Sequence, residues 1–115
     1  QLVEAESRNY RQRTRRNVID SDATLILSIG EPEGGTLTTL RYAQQYSKPV
    51  QIVSLDRNED DEAALRVADW LNQHDVHRLN IAGPRESKQP GIYHRARAWL
   101  QILDDRLADR RHPPD

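Results

Sequence analysis

The chain has 115 residues, 30% of them charged and 36% apolar, with 17 Lys plus Arg against 18 Asp plus Glu. That length holds one domain, burying roughly two-thirds of its unfolded surface, and the near balance of charge argues against a dedicated nucleic-acid or acidic-membrane binder. No cysteine is present, which excludes disulfides, thiolate metal sites and a cysteine nucleophile.

No run approaches the ~20 apolar residues of a membrane span, and a cytoplasmic setting is the expectation. The chain begins at Gln1 and contains no methionine, as a fragment or a processed product would. Residues 1–7 and 110–115 are expected to be flexible ends of a single domain.

Residues Arg8 to Asp20 look helical but carry little apolar material beyond Tyr10, Val18 and Ile19. Ala23 to Ile29 is almost continuously apolar and β-branched, the pattern of a strand covered on both faces. Thr36 to Tyr46 reads as a helix with Leu37, Leu40 and Ala43 inward, closed by Lys48-Pro49. Val50 to Leu55 is the second strand. Asp60-Asp61-Glu62 places acids where a helix N-terminus favours them, and that helix runs to His74, burying Ala64, Leu65, Ala68 and Leu71. His77 to Ala82 is the third strand. A final helix spaces Ile92, Ala96, Trp99, Leu100, Leu103 and Leu107 mostly three and four apart, the clearest amphipathic pattern in the chain.

Strands alternating with helices predict an α/β fold with a small parallel sheet and right-handed crossovers: a Rossmann-like three-layer sandwich, βαβαβα preceded by a helix. With the first strand central, the order is 2-1-3, and the chain reverses direction across it. Open α/β sheets bind ligands at such a reversal, beyond the strand C-termini.

Two loops would flank that crevice, each leaving a strand and opening a helix. The first contains Gly34-Gly35-Thr36, where glycines let backbone approach an anion, Thr36 caps the helix and offers a hydroxyl, and Thr39 follows one turn later. The second is Gly83-Pro84-Arg85-Glu86-Ser87, in which Arg85 supplies a forked cation suited to phosphate. The plain alternatives are an ordinary glycine connection and a surface ion pair of Arg85. Asn80, inside the third strand, is either a structural bridge or a ligand contact. Asp22 and Asn17 read as turn chemistry or as ligand-orienting groups. Of the five arginines between Arg8 and Arg16, Arg13 is the one expected to turn toward an anion. The histidines form no metal-ligand pattern, and Gly-x-Ser-x-Gly and P-loop motifs are absent. Tyr93 and Trp99 read as core.

Together these segments resemble a known group. The run Tyr10-x-x-Arg13-Thr14-x-x-Asn17-Val18-x-Asp20-Ser21-Asp22 with the following strand is similar to the putative molybdenum carrier family. So are Gly34-Gly35-Thr36, Lys48-Pro49, and Leu79 to Ser87 with Pro90-Gly91-Ile92-Tyr93, and the likeness spans most of residues 10 to 103. The resemblance implies a Rossmann-like branch of the superfamily that includes the lonely-guy phosphoribohydrolases, and a non-catalytic carrier of molybdenum cofactor, a pterin bearing a phosphate. Members of that family usually begin with a further strand ending in a glycine-rich loop, for which this chain has no matching segment. The implied arrangement is a homo-oligomer, or a partner chain that supplies the missing strand.

Three readings follow. In the first, the chain carries a phosphate-bearing small molecule, molybdenum cofactor or a nucleotide. Gly34, Gly35 and Thr36 hold the anion there, Arg85 neutralises its charge with Arg13 turned toward it, Asn80, Ser87 and Asp22 orient polar edges, and Gly83, Pro84, Thr39 and Asn17 complete the site. In the second, it is a nucleotide phosphoribohydrolase-like enzyme, although Leu37, Thr38 and Thr39 put no acid in the first helical turn where that reaction needs one. In the third, it is a degenerate interaction domain without a ligand.

Overall fold

A computed structural model describes residues 8–111, with the side chain of residue 111 left aside. The expected flexible ends at 1–7 and 112–115 lie outside the described residues. Residue 110, expected in the tail, lies instead in the last helix, which continues to Arg111.

The described elements are α1 (Arg8–Asp20), β1 (Ala23–Ser28), α2 (Gly34–Gln45), β2 (Val50–Ser54), α3 (Asp60–Gln73), β3 (Leu79–Ala82) and α4 (Ile92–Arg111). The three strands form one parallel sheet in the order β2-β1-β3. Thr24 stands opposite Val50 on one side and Asn80 on the other, and Ile26 opposite Ile52 and Ala82. Every residue of β1 is buried, as its apolar run predicts.

Alternation along β1 divides the molecule. Leu25 and Leu27 enter a cluster with Val53, Leu55, Ala63, Ala64, Val67, Ala68, Ile92, Trp99 and Leu103 beneath α3 and α4. Thr24, Ile26 and Ser28 take the opposite face, by the two-residue period of a strand. Trp99 is fully buried and donates its indole N–H to the Asp60 carbonyl at 3.1 Å. Arg95 donates to the Leu55 carbonyl at 2.8 Å and to Asp60 Oδ1 at 2.6 Å. These bonds fasten α4 to the end of β2 and to the start of α3.

Several expectations are corrected here. α3 buries Ala64 and Ala68 as expected and packs Leu71 against the core, but Ala63 and Val67 complete the inward stripe while Leu65 is 44% exposed. On α2 the fully buried residues are Thr36, Thr39 and Ala43 rather than Leu37 and Leu40. Tyr93, expected in the core, is 63% exposed. β3 begins at Leu79, not His77. The Asp22 carboxylate draws the backbone N–H groups of His77 and Arg78 to its Oδ2 at 2.9 and 2.8 Å, so those residues leave the regular ladder.

Candidate functional site

The start of α2 is built by glycine. Gly34, its first residue, has φ of +55°, which a side chain tolerates poorly. That turn lets the helix begin two residues before Thr36. Glu33 is therefore the cap residue and Thr36 lies in the first turn, a correction to its expected role. The Thr36 hydroxyl is consumed locally: it accepts from the Glu33 N–H at 3.1 Å and donates to the Glu33 carbonyl at 2.7 Å. The Thr39 hydroxyl likewise donates to the Gly35 carbonyl at 3.0 Å. Neither hydroxyl proton remains for a phosphate. What remains are the N–H groups of Gly34 and Gly35, which have no acceptor among the described residues. Helix N-termini concentrate partial positive charge at these groups.

Gly35 lines a cavity of about 400 Å³ between α1, α2 and β3, and Gly34 adjoins it as the preceding residue. That volume falls within the usual ~300–1,000 Å³ of small-molecule sites. Gly35, Thr36 and Thr39 line it from α2; Asn80, Ile81, Ala82 and Gly83 from β3 and its exit; Tyr10, Arg13, Thr14 and Asn17 from α1. The last four are spaced three, one and three apart and so share one helical face. Asn80 pairs in register with Thr24 and donates Nδ2 to the Thr24 hydroxyl at 3.3 Å, so it is a structural bridge that also lines the cavity.

The second loop differs from expectation. α4 starts only at Ile92, and the Glu86 carboxylate accepts the N–H groups of Gly91 and, at 3.0 Å, Tyr93. The chain's own anion thus occupies that helix terminus, and the bonds from Gly91 and Tyr93 hold the Glu86 carboxyl below its ordinary range. A second main-chain cradle is therefore not available. The loop's contribution is different: Gly83 passes so close to β1 that a side chain there would stand 3.1 Å from the Leu27 carbonyl, and Arg85 lies over the Tyr10 ring at 5.1 Å. Arg85 makes no ion pair with a carboxylate among the described residues, so the surface ion pair considered from sequence does not form.

Of the twelve residues singled out from sequence, Gly35, Thr36, Thr39, Asn80, Gly83, Arg13 and Asn17 line the cavity. Gly34 adjoins it through Gly35, and Arg85 reaches its wall through Tyr10. Pro84 and Ser87 are not among the lining residues. Asp22 is a correction: it sits before β1, at the far end from the strand C-termini, with Oδ2 committed to the N–H groups of Arg78 and His77, which hold its carboxyl below the ordinary value. Tyr10 and Thr14 were missed as lining residues, although their spacing with Arg13 and Asn17 was visible in the chain.

Comparison with known proteins agrees with this architecture. A solved crystal structure, described as that of a putative molybdenum carrier protein from Syntrophus aciditrophicus SB, is 40% identical, with a TM-score of 0.80 over 86% of this chain. The chain spans 63% of that protein's length. No curated protein matches. The family model for the circularly permutated YpsA SLOG family matches residues 1–103. On that match, together with the parallel sheet and the glycine-opened helix, the chain belongs to the circularly permutated YpsA SLOG family.

Proposed function

We propose that this chain is a binding protein for a phosphate-bearing small molecule of the class of molybdenum cofactor or a nucleotide, and that it performs no chemistry on it. One observation carries the reading: Gly35, at the helix start where the Gly34 and Gly35 N–H groups lack acceptors among the described residues, lines the same cavity as Arg13, Asn17 and Asn80. The amides and Arg13 suit the phosphate, with Arg85 poised at the wall to add charge. Asn17 and Asn80 offer carboxamides to the donor and acceptor edge of a heterocycle. The Syntrophus relative is described as a putative molybdenum carrier, which supports a molybdenum-bearing member of this class.

The donor set fits a ligand that brings its own metal donors. Among the described residues no group of three or more His, Cys, Asp or Glu could hold a metal ion. Protein contacts would then fall on the organic part and its phosphate. The phosphoribohydrolase reading needs a carboxylate at the bound sugar, and among the described residues no Asp or Glu lines the cavity.

The test is thermal shift of the purified chain against inorganic phosphate, nucleoside monophosphates and a phosphorylated pterin, with mass analysis of what co-purifies. A ligand at a hundred times its Kd stabilises by about 2.7 kcal/mol, a rise of several degrees for a domain of this size. No rise with any of the three classes, and nothing co-purified, rejects the reading. Release of free base from a nucleoside monophosphate would reject its non-catalytic part.

A further inference from the structure

α4 carries apolar side chains on more than its buried face. Ile92, Trp99 and Leu103 enter the core, while Tyr93 is largely exposed. Tyr93, Ala96, Arg97, Leu100, Gln101 and Asp104 line an open groove along one flank of this 20-residue helix, where half-buried Ala96 and Leu100 mark the edge of the core. Tyr93, Arg97, Leu100 and Asp104 are spaced four, three and four apart, the repeat that one helix uses to pack against another.

The charges on this stripe are arranged in a particular way. Arg97 and Asp104 are seven residues apart, about 10 Å along the axis at 1.5 Å per residue, too far to pair with each other. Neither makes an ion pair elsewhere among the described residues. If a second α4 lies antiparallel, related by a twofold axis passing between Leu100 and Gln101, Arg97 of each helix meets Asp104 of the other. The same operation sets Leu100 against Gln101 and Tyr93 against Ala108. The surface is therefore complementary to itself, which a twofold interface requires.

We propose that the outer face of α4 is the contact surface of a homodimer, with two copies of this chain pairing their α4 helices antiparallel through Leu100 and the reciprocal Arg97–Asp104 contacts. The ligand cavity lies across the sheet, on the face of α1 and α2, so this surface is independent of the proposed binding function.

Sedimentation equilibrium of the chain tests it through charge reversal. The unaltered chain is expected to be dimeric. Arg97→Asp places two aspartates together at each symmetric contact, and Asp104→Arg places two arginines there. Each change is expected to raise the dimer Kd at least about tenfold, since like charges juxtaposed at an interface are strongly unfavourable. The double variant Arg97→Asp with Asp104→Arg is expected to recover the dimer. Both positions are exposed, so the fold is retained, as circular dichroism would verify. A chain monomeric at every concentration overturns the proposal, as would be found if this face received another protein or a further segment instead. A dimer indifferent to either single reversal, or one that the double variant fails to restore, overturns it equally.

Discussion

The two faces of the sheet are built from different materials. Under α3 and α4, Leu25, Leu27, Val53 and Leu55 meet a row of alanines, Val67 and the fully buried Trp99. Under α1 and α2, the same central strand presents Thr24 and Ser28 beside Ile26, and the helices answer with hydroxyls. α1 contributes a single buried residue, Val18, and α2 contributes Thr36, Thr39 and Ala43. The first face is close-packed, and the second leaves a cavity of about 400 Å³. Apolar packing has nothing with which to recognise a polar guest, whereas a layer joined by hydrogen bonds leaves space lined with donors and acceptors. One face carries the packed core, the other the cavity of the proposed site.

That division can be broken by substitution. Trp99→Ala empties the packed face and is expected to destabilise by about 3–5 kcal/mol, read as a fall in the urea midpoint. Ligand binding by the fraction that remains folded should be unchanged. A loss under 1 kcal/mol would show that the α3–α4 layer does not anchor the fold.

Arg85→Ala acts on the other face. If the cavity holds an anion, affinity is expected to fall by about 1.5–3 kcal/mol, the weight of charge-assisted hydrogen bonds. The melting temperature of the unliganded chain should hardly move, because the guanidinium gives up only an exposed stack on Tyr10. Calorimetry with unchanged affinity would remove Arg85 from the site.

Gly34→Ala tests the helix start that serves the cavity. Its left-handed backbone is expected to cost about 1–2 kcal/mol with a side chain present, without steric conflict, since nothing lies within 4 Å of the added carbon. A neutral effect in thermal denaturation would mean that α2 can start elsewhere.

The smallest effect concerns pH. Asp22 is held below its ordinary 3.8 by the N–H groups of Arg78 and His77, and Glu86 below 4.5 by those of Gly91 and Tyr93. A carboxyl with a depressed folded value contributes stability that is full above its unfolded pKa and is lost as pH falls through the folded one. Stability is therefore expected to decline as pH drops from about 5 to about 3. The double variant Asp22→Asn with Glu86→Gln should show a shallower decline in melting temperature over the same window. Parallel curves would show that these two caps do not govern the acid limb.

Much of this protein is decided locally. The β-branched run of β1, the Lys48-Pro49 break and the acids at Asp60 to Glu62 act through a few neighbouring residues, so elements and strand order were legible before any coordinates. The start of α2 was legible only in part. Glycine pointed to the turn, but the bond from Thr36 back to Glu33 depends on a left-handed Gly34 and reassigns the hydroxyl. The use of Asp22 was hidden for the same kind of reason, while Glu86 binds N–H groups only five and seven residues on, where the late start of α4 places them. A carboxylate in a loop binds whatever N–H groups the fold brings near it, and for Asp22 those lie 55 and 56 residues away. On α3, Ala63 and Val67 join the inward face in place of Leu65, in one cluster with Trp99 from a helix later in the chain. Chain-local chemistry therefore set which segments are helix, strand or turn. Only the tertiary structure, through contacts between distant segments, decided which polar groups were left free to face a ligand.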